Sequence, residues 1–399
     1  MTKRRMLLMA GVLWASASGC EPGAAKGGER FVVSDSAGVV IAENAWSEER
    51  IWDWDPGDSL VMRLGSERAG APDLFGRVTQ AVLDPRGNLW VVDGMTAEAR
   101  VFHVPSGEHL FTVGGRGEGP GEFQTVHMLG LDETNAWIWD QNLGRMTVLT
   151  LDGEVTEVRA PGRDRELTPR LLSRTAHGTF ITSLPQILSR DVTDGMNAQD
   201  TTRLWEFGAD VADAELLAEQ PSVVWHFSGG GQFQVPFTDG GRFAARDRWV
   251  VLTEPGGSPE IEVLEDGRVT RRIRVRRDRS PVNSRDIETF LEVTGATQRG
   301  VEGGRLPVPR FAPAWGWVQI GQDGSLLALH HWGLDIGNPD ARAVWDVFSS
   351  EGRLRASMRL PQGTSPLDIG GEYLVLMESP EGEGPRVAIY AIPDWGTQE

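Results

Sequence analysis

"FGRVTQAVLDPRGNLWVVD" (residues 75–93) and "FQTVHMLGLDETNAWIWD" (residues 123–140) share F-x-x-V, an internal L-D and an apolar run ending in Asp. Phe75 and Phe123 are 48 residues apart, and so are Asp84 and Asp132. A third copy, "FAPAWGWVQIGQDGSLLALHHW" (311–332), keeps the strand, glycine turn, strand layout without the closing Asp. Self-similarity at such a period marks a repeat architecture, in which each unit buries its faces against its neighbours.

A second element recurs between alternating apolar runs: an acidic or small residue, Gly, then a charged residue. It is found in "VPSGEHLFTV" (104–113), "TLDGEVTEV" (150–158), "LEDGRVTRRIRV" (264–275) and "SSEGRLRASMRL" (349–360). Each predicts a β-hairpin, because Gly adopts the positive φ of a tight two-strand turn. Two hairpins per repeat give four strands, and units of about 45 residues predict an all-β fold, a six-bladed β-propeller of four-stranded antiparallel blades.

The expected blades run over 75–114, 123–160, 167–220, 237–277, 310–361 and 365–392. The last has room for three strands only. Residues 59–64 share the layout of 109–114, an outer strand before a glycine-rich crossing and a Phe. They are expected to supply the missing strand and close the ring, which removes exposed sheet edges. The hairpin over 31–44 would sit beside that closure. One propeller domain over 31–393 is expected, with a polar loop insertion near 186–202 and a helical insertion near 280–305. In the latter, Ser284 is the expected cap ahead of Ile287, Phe290 and Leu291.

The glycine-rich run "GGRGEGPGEF" (114–123) has the composition of a phosphate-cradling loop but not its context. A dinucleotide site needs a helix after the glycines, whereas β-type alternation follows here, and there is no Gly-Lys-Ser/Thr. A chain crossing from one outer strand to the next inner strand needs such bends. Phe75 and Phe123 should then plug between blades.

With these residues in hand, the run 114–123 followed by L-D, a glycine turn and an apolar strand resembles the NHL-type repeat of six-bladed β-propellers. "SDSAGVVIAEN" (34–44) resembles the opening of a large set of bacterial six-bladed propeller lipoproteins. The resemblance implies the fold and leaves the activity open, since propellers host unrelated functions.

The N-terminus fits that setting. Lys3, Arg4 and Arg5 precede the short apolar stretch 6–17, and Ala17, Ser18 and Gly19 lead into Cys20, the only cysteine. This resembles a bacterial lipoprotein signal peptide, which implies removal of 1–19 and lipidation of Cys20. Residues 20–30 would form the lipidated end and a flexible tether, and the protein would face the periplasm or the outer surface of the cell envelope. A lone cysteine excludes an intramolecular disulfide and a cysteine-based zinc site.

Charge excludes another class. The 399 residues carry 39 Lys plus Arg against 57 Asp plus Glu, a net −18 that becomes −21 without residues 1–19. Non-specific attraction to nucleic acid is disfavoured. Cations gathered at one place would stand out, and Arg77, Gln80, His127, Arg170 and Arg310 take comparable early positions in their blades. They are the candidate ligand-binding residues at the mouth of a central channel, for a partner protein or a small anionic ligand. No catalytic residue, cofactor or metal is assigned, and the chain is expected to be a monomer.

The rival reading is a channel enzyme of metal-dependent lyase or lactonase-like type. The peptide-amidating lyases with NHL-like folds, which this fold resembles, hold zinc with histidines from different blades. Here His127, His226 and His330 or His331 do not coincide in register. Asp53, Asp55 and Asp58 read as a solvated acidic turn, there is no G-x-S-x-G, and the strand tryptophans, Trp317 among them, read as packing between blades.

Overall fold

A computed structural model describes residues 31–54, 59–160, 170–175, 180–185, 193–208, 213–228, 231–238, 240–294, 308–330, 343–360, 363–370 and 372–392. The signal segment, Cys20, Asp55, Asp58 and His331 lie outside the described residues, as does the side chain of Arg170.

The first strands are β1 (Phe31–Ser36), β2 (Val39–Ala45), β3 (Ile51–Asp53) and β4 (Leu60–Leu64). Sheet I follows with β5 (Val78–Leu83), β6 (Asn88–Asp93), β7 (Glu98–His103) and β8 (His109–Gly114). Sheet II has β9 (His127–Leu131), β10 (Asn135–Asp140), β11 (Arg145–Thr150) and β12 (Val155–Arg159). Sheet III comprises β13 (Arg170–Arg174), β14 (Phe180–Pro185), β15 (Asn197–Phe207), β16 (Glu215–Ser228) and β17 (Gly231–Gln234). Sheet IV is built on β18 (Phe243–Arg246), β19 (Trp249–Thr253), β20 (Glu260–Glu265) and β21 (Arg268–Arg276). Helix α1 (Ser284–Thr294) leads to sheet V, with β22 (Trp315–Ile320), β23 (Leu326–His330), β24 (Val344–Phe348) and β25 (Leu354–Arg359). Sheet VI ends the fold with β26 (Thr364–Gly370), β27 (Tyr373–Glu378) and β28 (Arg386–Ala391).

Each junction between successive sheets has its own apolar core. Trp90, Phe123 and Ile138 join sheets I and II, and Trp139, Met146 and Phe207 join II and III. Leu204 and Val250 join III and IV, and Trp315, Ile261 and Phe348 join IV and V. Trp345 and Leu376 join V and VI, while Phe75, Leu89 and Val387 join VI to I. The first strands touch in the same order, β5 to β9, β13, β18, β22 and β26, and β26 touches β5. Phe75 and Phe123 are buried plugs, each worth a few kcal/mol of transfer free energy.

The L-D of the repeat now has a physical role. Asp84 accepts from the amides of Arg86 (2.9 Å) and Asn88 (2.8 Å) and from Trp90 Nε1 (3.1 Å). Asp132 does the same for Thr134 (2.9 Å), Asn135 (2.8 Å) and Trp137 Nε1 (3.2 Å). One carboxylate thus shapes the turn and fixes the indole of the next strand. In the glycine run, Gly114 has φ +101°, and an added Cβ would lie 2.6 Å from the Ala97 carbonyl. The Phe123 amide donates back to Gly115 O (2.8 Å), so the run is a tight crossing between sheets I and II.

The N-terminal segment runs along three sheets in turn. β2 pairs in parallel with β21, β3 in parallel with β25, and β4 antiparallel with β28. The hairpin β1–β2 therefore extends sheet IV, not the last sheet, because its apolar residues Ile41 and Ala42 bury beside β21. Buried Asn44 then bridges two sheets: its Nδ2 donates to Gly352 O (3.0 Å), and its Oδ1 accepts from the Leu354 amide (2.7 Å). Trp54 is buried edge-on against Tyr390, 5.2 Å between ring centroids.

Two further expectations change. Residues 197–202 are not loop but the start of β15, which pairs with β16 along a ribbon longer than a repeat strand; β17 extends the sheet past 220. The cap of α1 is Asn283, not Ser284: its Oδ1 accepts from the amides of Arg285 (2.9 Å) and Asp286 (3.1 Å), and Asp286 Oδ2 accepts from the Asn283 amide (2.8 Å). Among the described residues no helix is long and apolar enough to cross a membrane.

Asn44→Ala orphans a half-buried amide and a buried carbonyl of sheet V, so urea unfolding should show a loss of about 1–3 kcal/mol. A change within about 0.5 kcal/mol would mean that the N-terminal segment does not bind the sheets together.

Candidate functional site

The residue closing the second strand of a sheet catches the chain as it enters the first. Asp93, fully buried, accepts from the amides of Gly76 (2.8 Å), Arg77 (3.0 Å) and Met95 (2.9 Å). Burial pushes its carboxyl up, but those amides and Arg100, 3.7 Å away, outweigh it and hold it below the usual aspartate range. Asp140 accepts from the Gln124 amide (2.7 Å), and Thr253 Oγ1 takes the Arg242 amide (2.7 Å) in sheet IV.

These closing residues share a register, four places after the residue paired with the end of the first strand (Leu89, Ala136 and Trp249). In sheet V that residue is Leu326, and the fourth place after it is His330. A second register position changes with it. Arg100 lies opposite Val91 in sheet I, and its counterpart in sheet V, opposite Ala328, is Asp346. The acid and base have exchanged strands.

Asp346 is the hub of this variant. Its Oδ2 accepts from Trp315 Nε1 (3.0 Å) and Arg277 Nη1 (3.0 Å), and its Oδ1 accepts from Ser357 Oγ (2.6 Å). His330 Nε2 lies 2.8 Å from the same Oδ1 and 2.7 Å from Arg277 Nη1. That nitrogen can donate to the carboxylate or accept from the guanidinium, not both. Burial drives the Asp346 carboxyl up, yet His330, Arg277 and Ser357 prevail and hold it at about 2. Burial lowers Arg277, whose side chain is only 9% exposed, against the pull of Asp346. Trp46 covers the group, donating to Ser357 Oγ (2.9 Å) with its ring 5.7 Å from that of His330.

Arg77 is exposed just before β5, its Nη2 on Gly94 O (3.0 Å). Gln80 is engaged at both ends of its amide, donating to Met128 O (3.2 Å) and accepting from the Met128 amide (2.8 Å). It is a link between sheets I and II. His127 is half-buried at the start of β9, opposite Trp139. Arg170 begins β13. Arg310 is exposed but sits five residues ahead of β22, in a segment bridged to Pro281, with its guanidinium over Phe311. The start of sheet V is instead reached by Arg277, which donates to Ala314 O (2.8 Å).

Arg242 and Arg277 escaped the sequence reading. Arg242 has the register of Arg77, directly before a first strand, and comparing the two closing residues Asp93 and Thr253 could have found it. Arg277 comes from the preceding sheet, so no alignment within one repeat reveals it.

Charged contacts also cross between sheets where the first strands end. Arg246 of sheet IV donates to Ile320 O of sheet V (3.2 Å) and pairs with buried Asp368 of sheet VI. The Leu83 amide of sheet I reaches the same Asp368 (3.4 Å), and Gln322 donates to Leu83 O. Arg174 pairs with Asp132 (3.3 Å) and lies 4.0 Å over the Trp137 ring, while Ser173 accepts from the Asp247 amide (3.1 Å). His226 is buried against Asn197 Oδ1 (2.7 Å). Among the described residues no group of three His, Cys, Asp or Glu is placed to hold a metal ion.

No family model and no curated protein matches the chain. Solved structures do. A member of the DUF4221 family from Bacteroides vulgatus superposes with a TM-score of 0.50 at 9% identity, over 83% of this chain and 95% of that one. A protein described as exported, from Bacteroides fragilis, gives 0.48 at 10% identity, over 88% and 99%. Virginiamycin B lyase from Staphylococcus aureus gives 0.40 at 9% identity, over 83% and 99%. At such identities the likeness concerns the fold alone: the chain is an all-β protein of largely antiparallel sheets, three of the six described having four strands, with propeller-type neighbours.

The sheet V cluster gives a pH signature. A carboxyl held below its unfolded value of 3.8 stabilises the fold above about pH 4 and loses that contribution as pH falls towards 2. Asp346 should account for about 2 kcal/mol of the acid destabilisation, on the linkage relation. Asp346→Asn should lack that part of the profile and lose about 3–5 kcal/mol at pH 7, because Arg277 is left buried without its counter-charge. Chemical unfolding of both proteins between pH 2 and 7 checks this; parallel profiles would refute it.

Proposed function

We propose that the protein is a lipid-anchored, six-bladed β-propeller of the cell envelope that binds a small anionic ligand on the face where the first strands begin. Ring closure by β4 is supported by its pairing with β28 and by the cyclic order of contacts among the first strands. The envelope location is supported by the sequence around Cys20. Residues 31–393 then form one domain, joined to the lipid by the tether 20–30.

One observation carries the binding role. In a chain with 57 acidic residues, Arg77, Arg242 and Arg310 have no carboxylate within 4.0 Å among the described residues, a lack they share with Arg116, Arg145 and Arg271, and Arg77 and Arg242 differ from these in their place. Arg77 and Arg242 stand directly before first strands, and Arg170 and His127 begin two others. Arg77 and Arg242, without carboxylate partners on one side of an acidic protein, focus the local field on an anion. Guanidinium groups suit phosphate and carboxylate in particular. Gln80 serves as a sheet link, and Arg242 joins the binding set.

A second reading, a channel enzyme of lyase or lactonase-like type, is favoured by the His330–Asp346 pair, since a carboxylate behind one ring nitrogen is a common arrangement for an acid–base histidine.

Calorimetric titration with inorganic phosphate should detect binding that weakens as salt rises, and Arg77→Glu and Arg242→Glu should each reduce it by about tenfold or more. Binding equal in wild type and both variants would remove the arginines from the site. In growing cells, Cys20→Ser should abolish incorporation of labelled palmitate and release the protein from membranes; continued labelling would disprove the anchor.

A further inference from the structure

We infer that Trp317 is a stacking platform in the ligand site, and that the ligand carries a flat ring beside its anionic group. The inference rests on the anion-binding reading and narrows it. Trp317 is 59% exposed, whereas the other tryptophan side chains among the described residues are buried or half-buried. Its indole makes no hydrogen bond and no ring contact among the described residues. The sequence expectation that it packs between blades does not hold.

Register explains why it stands open. Five of the six first strands contain a β-bulge, including β5 at Thr79 and β22 at Gly316. Gln80 and Trp317 each follow the bulged residue, so they are equivalent. In sheet I, Val78 and Ala81 pack towards sheet VI, while Gln80 turns the other way, to Met128 of sheet II. In sheet V, Val318 and Ile320 pack towards sheet IV, while Gln319 donates to Leu367 O of sheet VI (2.5 Å). Strand alternation puts Trp317 on the side of Gln319. Both positions therefore aim at the next sheet, but only Gln80 is tied to it. β26 opens with Thr364, Ser365 and Pro366, and Ser365 is exposed, so no bulky side chain of that strand's start lies over the indole.

An indole left in water forgoes the burial that makes tryptophan valuable in a core. Bulges recur where a side chain is re-aimed beside a binding site. Trp317 lies in the strand whose start Arg277 holds, on the side of the fold where Arg77 and Arg242 lack carboxylate partners. A planar ring that bears phosphate or carboxylate would use both kinds of group, the ring on the indole and the anion on arginine.

Three probes separate the parts: 1-naphthyl phosphate, inorganic phosphate and 1-naphthol, titrated calorimetrically into the full chain, Trp317→Ala, Trp317→Phe and Arg77→Glu. In wild type, 1-naphthyl phosphate should bind at least about tenfold tighter than inorganic phosphate. Trp317→Ala should erase that advantage and leave inorganic phosphate binding unchanged. Trp317→Phe should keep most of it, and Arg77→Glu should weaken both phosphates. Because the side chain is exposed, unfolding midpoints of the Trp317 variants should match wild type.

Equal affinity of the two phosphates, or an advantage that survives Trp317→Ala, overturns the stacking role while arginine-dependent phosphate binding leaves the anion reading standing. If neither phosphate binds, both readings fall. Binding of 1-naphthol as tight as 1-naphthyl phosphate and indifferent to Arg77→Glu overturns the paired recognition of ring and anion.

Discussion

A four-stranded sheet with apolar side chains on both faces cannot bury them by itself. Each sheet of this protein is therefore stable only between two others, and the molecule is organised by its junctions. One apolar core fills each junction, and the buried aromatics Phe75, Trp90, Phe123 and Trp315 lie at the seams. Hydrogen bonds within a sheet are satisfied whatever its neighbours do, so geometry between sheets must come from elsewhere. It comes from carboxylates, amides and guanidinium groups placed at strand ends, such as Asp93, Gln80 and Arg246, which act across a turn or a junction.

The repeat unit was legible because its signals are local. Asp84 and Asp132 shape turns within their own hairpins, and Asp93 and Asp140 catch amides 16 or 17 residues back, so the same residue types recur at one spacing. Sheet III was the least legible. Its strands β15 and β16 reach 11 and 14 residues, which dilutes the turn spacing, and polar residues such as Asn197 and Gln199 sit in strand where composition reads as loop. The site was less legible still. Alignment found Arg77 and His127 by position, but it could not show that the Gln80 amide is occupied, that Arg277 crosses from the preceding sheet, or that the N-terminal hairpin docks on β21. Those facts depend on neighbours distant in sequence.

The N-terminal segment is held by the same kinds of contact as the repeats. Two of its strands add in parallel to outer edges and one adds antiparallel, so it covers edges that would otherwise stay open to pairing with other chains. Asn44 shows how closely that segment is tied in: one amide group satisfies the backbone of β25 and of the turn before it. A segment held this way is tied into sheets IV, V and VI rather than attached to one of them.

Sheet V departs from sheet I at three equivalent positions, and all three departures change chemistry rather than size alone. Gln80, Asp93 and Arg100 are fixtures, each engaged on backbone or on one another. Their counterparts are Trp317, His330 and Asp346, which present an open indole and a buried acid–base pair supplied with a guanidinium from outside the repeat. Sheet IV also departs at two of these positions, with Thr253 and Val263, and in sheet V each change removes a contact that another group must replace. Arg277 and Trp46, brought in from β21's end and from the N-terminal segment, are those replacements. Sheet V thus draws parts from two other regions to hold its buried acid–base pair, while its Trp317 indole stays exposed.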